Sequence, residues 1–338
     1  MRARGITYDT GFFNAGTSTH EPFTADQVRR DVRAIRQDLH CDAVRLTGGS
    51  VDRLEAAAEL AAEAGLAVWL SPFTCDLGTA ELLDLLADCA GRAERLRRGG
   101  AGVVFLTGSE LSLFTIGFLP GVTLEERLGV LADPARLRQA LALVPGLVNE
   151  FLAQALAAVR GRFGGPVSYA SLPFERVDWA PFDIVATDAG YRSLENAGRF
   201  REDVRAYVEM GRKLGKPVAV TEFGCVTHRG AADLGGRGSS IVEWQGGRAV
   251  GLKGAPVRDE GEQASYLVEV LEVLLGEGVD AVFANTFASY HLPHRADPRQ
   301  DLDLASYGVV KILEGVDGPG WEAKAAFAAL ASLYRSPG

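Results

Sequence analysis

Short apolar runs alternate with amphipathic helical stretches along almost the whole chain, and this alternation constrains the fold more than any single motif. The runs at Gly5–Tyr8, Asp42–Thr47, Leu66–Ser71, Val103–Thr107, Val167–Ala170, Asp183–Thr187, Pro217–Thr221 and Ala281–Asn285 have the length and apolar content of buried parallel strands. Helix signals lie among them. Thr24-Ala-Asp-Gln27 fits a capping box ahead of a helix to about Asp38, and Ser50 can cap a helix that ends at Gly65. Further helical patterns cover about 79–97, 134–160, the stretch up to Leu214, 260–277 and 321–334. Eight alternations predict a parallel sheet, and eight units suit a closed barrel better than an open sheet. The expected fold is α/β, a single (β/α)8 TIM barrel over residues 1–338, with long loops at about 111–133 and 225–262.

At 338 residues, 47% hydrophobic and 23% charged, the chain can bury one large core. Its net charge of −9 argues against nucleic acid, which needs a basic surface. No apolar run approaches the roughly 18 residues of a membrane span. Met1-Arg-Ala-Arg-Gly leads into the first strand without an export-type apolar stretch, so a cytoplasmic location is expected. Cys41, Cys75, Cys89 and Cys225 lack the spacing of a zinc site or a disulfide framework. His291-Leu-Pro-His294 has ligand-like spacing, but Pro293 spoils it as a helical metal pair. The five lysines avoid strand tips, which tells against a Schiff-base enzyme. The expectation is no metal, no cofactor and a small-molecule substrate, with neither nucleic acid nor membrane as partner and the oligomeric state open.

The chemistry concentrates at two strand ends. Lys216-Pro-Val-Ala-Val-Thr-Glu222-Phe-Gly224 closes an apolar strand on an acid, and Val103-Val-Phe-Leu-Thr-Gly-Ser109-Glu110 does the same. Parallel barrels place their chemistry at the C-terminal ends of strands. Two carboxylates there suit glycoside hydrolysis, one as proton donor and the other as nucleophile or base. Glu110 and Glu222 stand 112 residues apart, close to three barrel units, which assigns them to strands four and seven. Asp9 and Asp188 also fall at strand tips, where they can bind substrate hydroxyls or serve as loop caps and ion-pair partners. The apolar stretch from Leu111 to Val122 can be a lid or substrate wall, or packing on its own barrel. His228 and Trp244 lie in the glycine-rich loop after strand seven, facing either the pocket or the surface.

Taken together these features resemble the clan of retaining glycoside hydrolases built on (β/α)8 barrels. The resemblance is carried by the acid ending strand four, Thr221-Glu222-Phe-Gly ending strand seven, and Arg45 on strand two. Asp183-Ile-Val-Ala-Thr-Asp-Ala-Gly-Tyr191 is similar to the clan's strand-six segment, which brings a tyrosine towards the nucleophile. Trp321-Glu-Ala-Lys-Ala-Ala-Phe is similar to its last helix. The resemblance implies Glu110 as general acid/base and Glu222 as nucleophile, with Arg45 and Tyr191 keeping Glu222 ionised. Two positions depart from it. The clan has Asn before the strand-four acid, where this chain has Ser109, and Trp ending strand eight, where Asn285-Thr-Phe287 offers phenylalanine. Ser109, Phe287 and His291 complete the expected substrate-binding set. The departures point to a small glycoside or an atypical, partly apolar substrate. The chain is also similar to bacterial proteins labelled abortive-infection-like, a label that implies no chemistry. The alternatives are acid/base catalysis on a non-sugar metabolite in the same pocket, and a non-catalytic binding descendant of the barrel.

Overall fold

The computed structural model describes residues 3–315 and 320–335. Eight short strands pair in parallel: β1 (Ala3–Asp9), β2 (Ala43–Gly48), β3 (Ala67–Pro72), β4 (Val103–Ser109), β5 (Val167–Ala170), β6 (Val185–Thr187), β7 (Val218–Phe223) and β8 (Ala281–Ala284). Their hydrogen-bonded order is β5-β4-β3-β2-β1-β8-β7-β6, and a parallel bridge from Ser171 to Thr187 joins the two ends. The sheet therefore closes as a (β/α)8 barrel.

Side chains alternate inward and outward along each strand. The inward set is mostly small, including Ala43, Ala170, Ala186, Ala219 and Ala281, and Trp69 and Phe283 fill the remaining space with rings 4.8 Å apart. Gly5 makes room for Phe283, since a β-carbon there would sit 2.5 Å from its ring. The outward set, with Ile6, Val44, Val68 and Phe105, packs beneath the helices as the main core.

The helices are α1 (Ala25–Gln37), α2 (Val51–Glu63), α3 (Thr79–Arg98), α4 (Leu111–Phe114), α5 (Leu124–Ala132), α6 (Pro134–Arg160), α7 (Phe200–Leu214), α8 (Glu260–Glu277) and α9 (Ala325–Arg335). Thr24 and Ser50 cap α1 and α2, their side-chain oxygens accepting from the backbone N–H of Gln27 and Arg53. The reciprocal half of the expected box at α1 is missing, because the Gln27 side chain is buried with both amide atoms unpaired. Among the described residues, α6 is long and apolar enough by length and composition to cross a membrane. The criterion of an unbroken apolar run passes over it because polar residues interrupt it. Its Val144, Val148, Phe151 and Leu152 are buried.

The fold corrects two expectations of regularity. Among the described residues no α-helix joins β5 to β6; the link holds the 3-10 turn Pro173–Glu175. It is short and carries Pro173 and Pro181, and Trp179 packs on Phe182 with rings 5.6 Å apart. The closing helix begins at Ala325 rather than Trp321, because Gly320–Ala323 pairs antiparallel with Val310–Leu313. There Trp321 donates its Nε1–H to the buried Asp31 carboxylate at 2.9 Å, which also accepts from Tyr8 and Tyr290.

Part of the apolar insert after β4 packs on its own barrel, as one of its two readings expects. Arg127 is fully buried, donates to the Leu113 carbonyl at 2.5 Å and the Gly121 carbonyl at 3.2 Å, and pairs with Asp76. Phe118 packs edge-on against Phe151 at 5.7 Å, so this part lies on its own barrel. Phe114 instead meets Phe12 and Phe73, at 5.6 and 4.7 Å, forming an aromatic wall from the loops after β1, β3 and β4.

Candidate active site

The in–out alternation breaks twice at the C-terminal end of the barrel, and both breaks fall at the candidate acids. On β7, Val220 pairs with Val282 and Phe223 with Ala284, so Thr221 and Glu222 together oppose one residue. Such a β-bulge reverses side-chain parity beyond it. Without it Phe223 would follow Ala219 inward and Glu222 would follow Val220 outward. Instead Phe223 joins the outer core, and Glu222 reaches Arg45 on the inside.

β4 carries the same irregularity. Leu106 pairs with Ser168 and Ser109 with Ala170, leaving Thr107 and Gly108 opposite one residue. Gly108 has φ +126°, and a β-carbon there would lie 3.0 Å from Leu111. The bulge turns Ser109 inward and delivers Glu110 in the left-handed region at φ 47°. Glu175 braces this turn from below. Its buried carboxylate accepts from Ser112 N–H at 3.0 Å, Ser112 Oγ–H at 2.7 Å and Tyr169 O–H at 2.8 Å. Tyr169 Oη in turn accepts from Leu111 N–H at 2.8 Å.

A buried polar layer lies beside the two acids. Arg45 forks onto Asp188, with Nη1 2.8 Å from Oδ1 and Nη2 3.2 Å from Oδ2, and neither side chain is exposed. Ser109 Oγ donates to Asp188 Oδ2 at 2.6 Å and accepts from Arg45 Nη2 at 3.0 Å. Glu222 Oε2 is 3.6 Å from Arg45 Nη1. Its Oε1 accepts from Tyr191 O–H at 2.5 Å and from Asn285 Nδ2–H at 3.0 Å. Asn285 also donates to Tyr191 Oη at 2.9 Å, which leaves the phenol proton for Glu222.

The surroundings treat the two acids differently. Burial, reinforced by the Asp188 charge, pushes Glu222 up to about 7, against the opposing pull of Arg45 and Tyr191. Burial lifts Glu110 well above the ordinary carboxylate range, with Asp188, Glu222 and Glu175 adding to the rise. Two hydrogen bonds and an ion pair hold Glu222, whereas among the described residues no donor reaches the Glu110 carboxyl.

Solved structures place this geometry in context. The chain is similar to a GH113 β-1,4-mannanase, with a TM-score of 0.62 at 15% identity over 99% of both chains. It is also similar to a GH113 β-mannanase from Alicyclobacillus acidocaldarius, at TM-score 0.61 and 18% identity over 98% of this chain and 97% of that one. An exo-β-1,4-mannosidase from Opitutaceae bacterium strain TAV5 aligns at TM-score 0.55 and 14% identity, over 98% of this chain and 59% of that one. The chain shares the (β/α)8 barrel fold of these glycoside hydrolases. No protein-family profile and no curated protein matches the sequence.

The residues singled out by sequence divide into two groups. Glu110, Glu222, Arg45, Tyr191, Ser109 and Asp188 gather in one site. Asp188 stands there as the buried partner of Arg45, not as an open hydroxyl-binding group. Asp9 accepts from Gly11 N–H at 2.8 Å and Thr19 Oγ–H at 2.5 Å, so it caps the loop after β1 instead of offering its carboxylate to substrate. Phe287 is corrected from pocket to core: it is fully buried, its ring 6.2 Å from Tyr8 and 5.5 Å from Trp321. A hydrogen bond from Phe287 N–H to the Thr7 carbonyl, at 2.9 Å, draws the chain back along β1. His291 stacks with Trp244 in a neighbouring cleft. His294 contacts Asp301 and Arg258, and among the described residues no His, Cys, Asp or Glu group could hold a metal ion.

Sequence reasoning passes over Asn285 and Glu175. Asn285 is the first residue beyond β8, so the strand-end rule that selects Glu110 and Glu222 also reaches it. No sequence signal marks Glu175, whose role depends on packing against the turn after β4.

Proposed function

We propose that the protein is a glycoside hydrolase acting by the retaining mechanism. Glu222 attacks the anomeric carbon while Glu110 protonates the departing oxygen. Glu110 then takes a proton from the water that releases the glycosyl-enzyme. The observation that carries this reading is the unequal holding of the two acids: Tyr191, Asn285 and Arg45 reach Glu222, and among the described residues no donor reaches the Glu110 carboxyl. Donors stabilise the carboxylate form, so Glu222 ionises first and Glu110 keeps its proton. A nucleophile and a proton donor need that division. The likeness to β-1,4-mannanase and β-1,4-mannosidase barrels makes β-mannosides the first substrates to try.

Glu222→Gln and Glu110→Gln are each expected to lower turnover of an aryl β-mannoside, or another aryl β-glycoside that the wild type hydrolyses, at least about a hundredfold. A 2-deoxy-2-fluoro glycoside should leave a covalent adduct on Glu222, read by peptide mass spectrometry. Unchanged turnover in both variants removes the site assignment. An adduct on another residue removes Glu222 as nucleophile.

Ser109 supports a second reading, acid/base catalysis on a non-sugar metabolite. Its hydroxyl is engaged by Asp188 and Arg45, so the residue before the strand-four acid has its polar group turned away from a sugar hydroxyl. A protein that hydrolyses no glycoside, yet loses another turnover in both variants, would favour it. A binding protein would retain its ligand in both.

A further inference from the structure

Helix α6 is apolar on the side that faces solvent as well as on the side that faces the barrel. For about three turns, from Gln139 to Asn149, it carries no charged residue. Its inner side accounts for part of this, because Ala140, Val144, Val148 and Phe151 are buried and α3 packs against the helix. The outer side is not accounted for in this way. Leu143 leaves 65% of its surface exposed and Leu147 leaves 39%, with Ala142 and Gly146 exposed beside them. A surface helix ordinarily turns charged and polar side chains to water. An exposed leucine face in their place marks a contact with something outside the chain.

The charges at the two ends of this face indicate what fits it. Arg136 lies seven residues before Leu143 and Glu150 seven after, so the three fall close to one line along the exposed side. Arg136 and Glu150 are both exposed, and among the described residues neither side chain has a hydrogen-bond or ion-pair partner. A face with a cation at one end, leucine in the middle and an anion at the other is complementary to itself when turned end for end. A half-turn about an axis through Leu143 sets a second α6 antiparallel to the first, as a two-fold dimer requires. Leu143 then meets its own copy, and Arg136 of each helix stands beside Glu150 of the other. Each charge lies about 10.5 Å along the helix from the axis. Helices crossing at about 20° stay close enough over that length for the arginine and glutamate side chains to meet. Ala142 and Gly146 add no bulk to keep the backbones apart.

We infer that the outer face of α6 is a dimer interface for a second copy of this chain, packed antiparallel about Leu143. A lipid surface is the rival occupant of an apolar helix face. Helices that lie on membranes are rich in lysine and arginine on their polar side, whereas this face has a base at one end and an acid at the other, in a chain of net charge −9. A contact made by one helix from each partner is small, below about 1,200 Å², so the dimer should dissociate on dilution. The inference does not depend on the catalytic reading, since none of these residues belongs to the site of Glu110 and Glu222.

Sedimentation velocity over a concentration series tests it on the full chain. Wild type is expected to pass from monomer to dimer as concentration rises. Leu143→Glu should stay monomeric at the highest concentration, with an unchanged far-UV circular dichroism spectrum because the position is exposed. Arg136→Glu and Glu150→Arg each set two like-charged pairs across the axis and should weaken the dimer at least about tenfold. Both exchanges in one chain re-form the opposite-charge pairs and should return it close to wild type. A wild type that is monomeric throughout the series, or a dimer that survives Leu143→Glu, overturns the inference. So does a double exchange that fails to recover what both single exchanges lose. A monomeric wild type that co-sediments with phosphatidylcholine–phosphatidylglycerol vesicles, and no longer does so as Leu143→Glu, overturns it in favour of lipid.

Discussion

Arg45 forks onto Asp188 at 2.8 and 3.2 Å and stands 3.6 Å from Glu222. The buried guanidinium is thus matched by a carboxylate that is itself sealed from solvent. Glu222 feels the cation without being its main partner, and the Asp188 charge works against its ionisation. This arrangement keeps the proposed nucleophile close to its switching point instead of permanently charged.

The pH dependence follows. Glu222 must be ionised and its affinity for protons is pushed up to about 7, so kcat/KM should rise through that region. Glu110 must be protonated and is raised well above its usual range, so loss of its proton sets the falling limb. The two limbs belong to the interacting pair. A profile already flat at pH 5 would contradict the assignment. Stability should move oppositely. Both acids hold protons more tightly folded than unfolded, where the usual value is about 4.3. Their contribution is complete below that value and is lost as pH rises through 7 and beyond. Glu222→Gln should therefore melt higher than wild type at pH 8, with the gap closing towards pH 5.

Asp188→Asn removes one side of a buried ion pair, which typically costs about 3–5 kcal/mol. It also removes a charge that opposes Glu222 ionisation, so the rising limb of the pH profile should shift to lower pH. Urea unfolding and a pH profile read the two effects separately. If Asp188 were only a surface-like acid, neither would change.

Tyr191→Phe deletes the 2.5 Å hydrogen bond to Glu222 Oε1. A hydrogen bond to a charged group is worth roughly 1.5–3 kcal/mol, so kcat should fall about tenfold or more. Because the phenol helps hold Glu222 ionised, the rising limb should move to higher pH, the reverse of Asp188→Asn. Shifts of the same sign in both variants would rule out the proposed balance.

Gly108→Ala places a β-carbon at φ +126°, 3.0 Å from Leu111. The strain should cost about 1–3 kcal/mol and disturb the turn that presents Glu110. Denaturant unfolding should show the loss of stability, and kcat should drop further than KM changes. A variant with wild-type kcat would mean that the bulge does not position Glu110.

Sequence alone determined the strands of the barrel, because a strand buried on both faces must be an almost unbroken apolar run, visible without knowing its neighbours. It also determined which acids end β4 and β7, and the span of α6. It did not determine where those acids point. Strict alternation carries Glu222 outward with Val220; only the extra residue opposite β8 brings it inside, and that register is set between strands far apart in the chain. The same reason governs the misplaced residues. Asp9, Asp188 and Phe287 all sit at or just beyond strand tips, yet one caps a loop, one is sealed against Arg45 and one is core. Asn285, two residues before Phe287, is the one that reaches Glu222. Local pattern specifies an element and its end, whereas the partner a side chain meets depends on pairing and closure of the whole barrel.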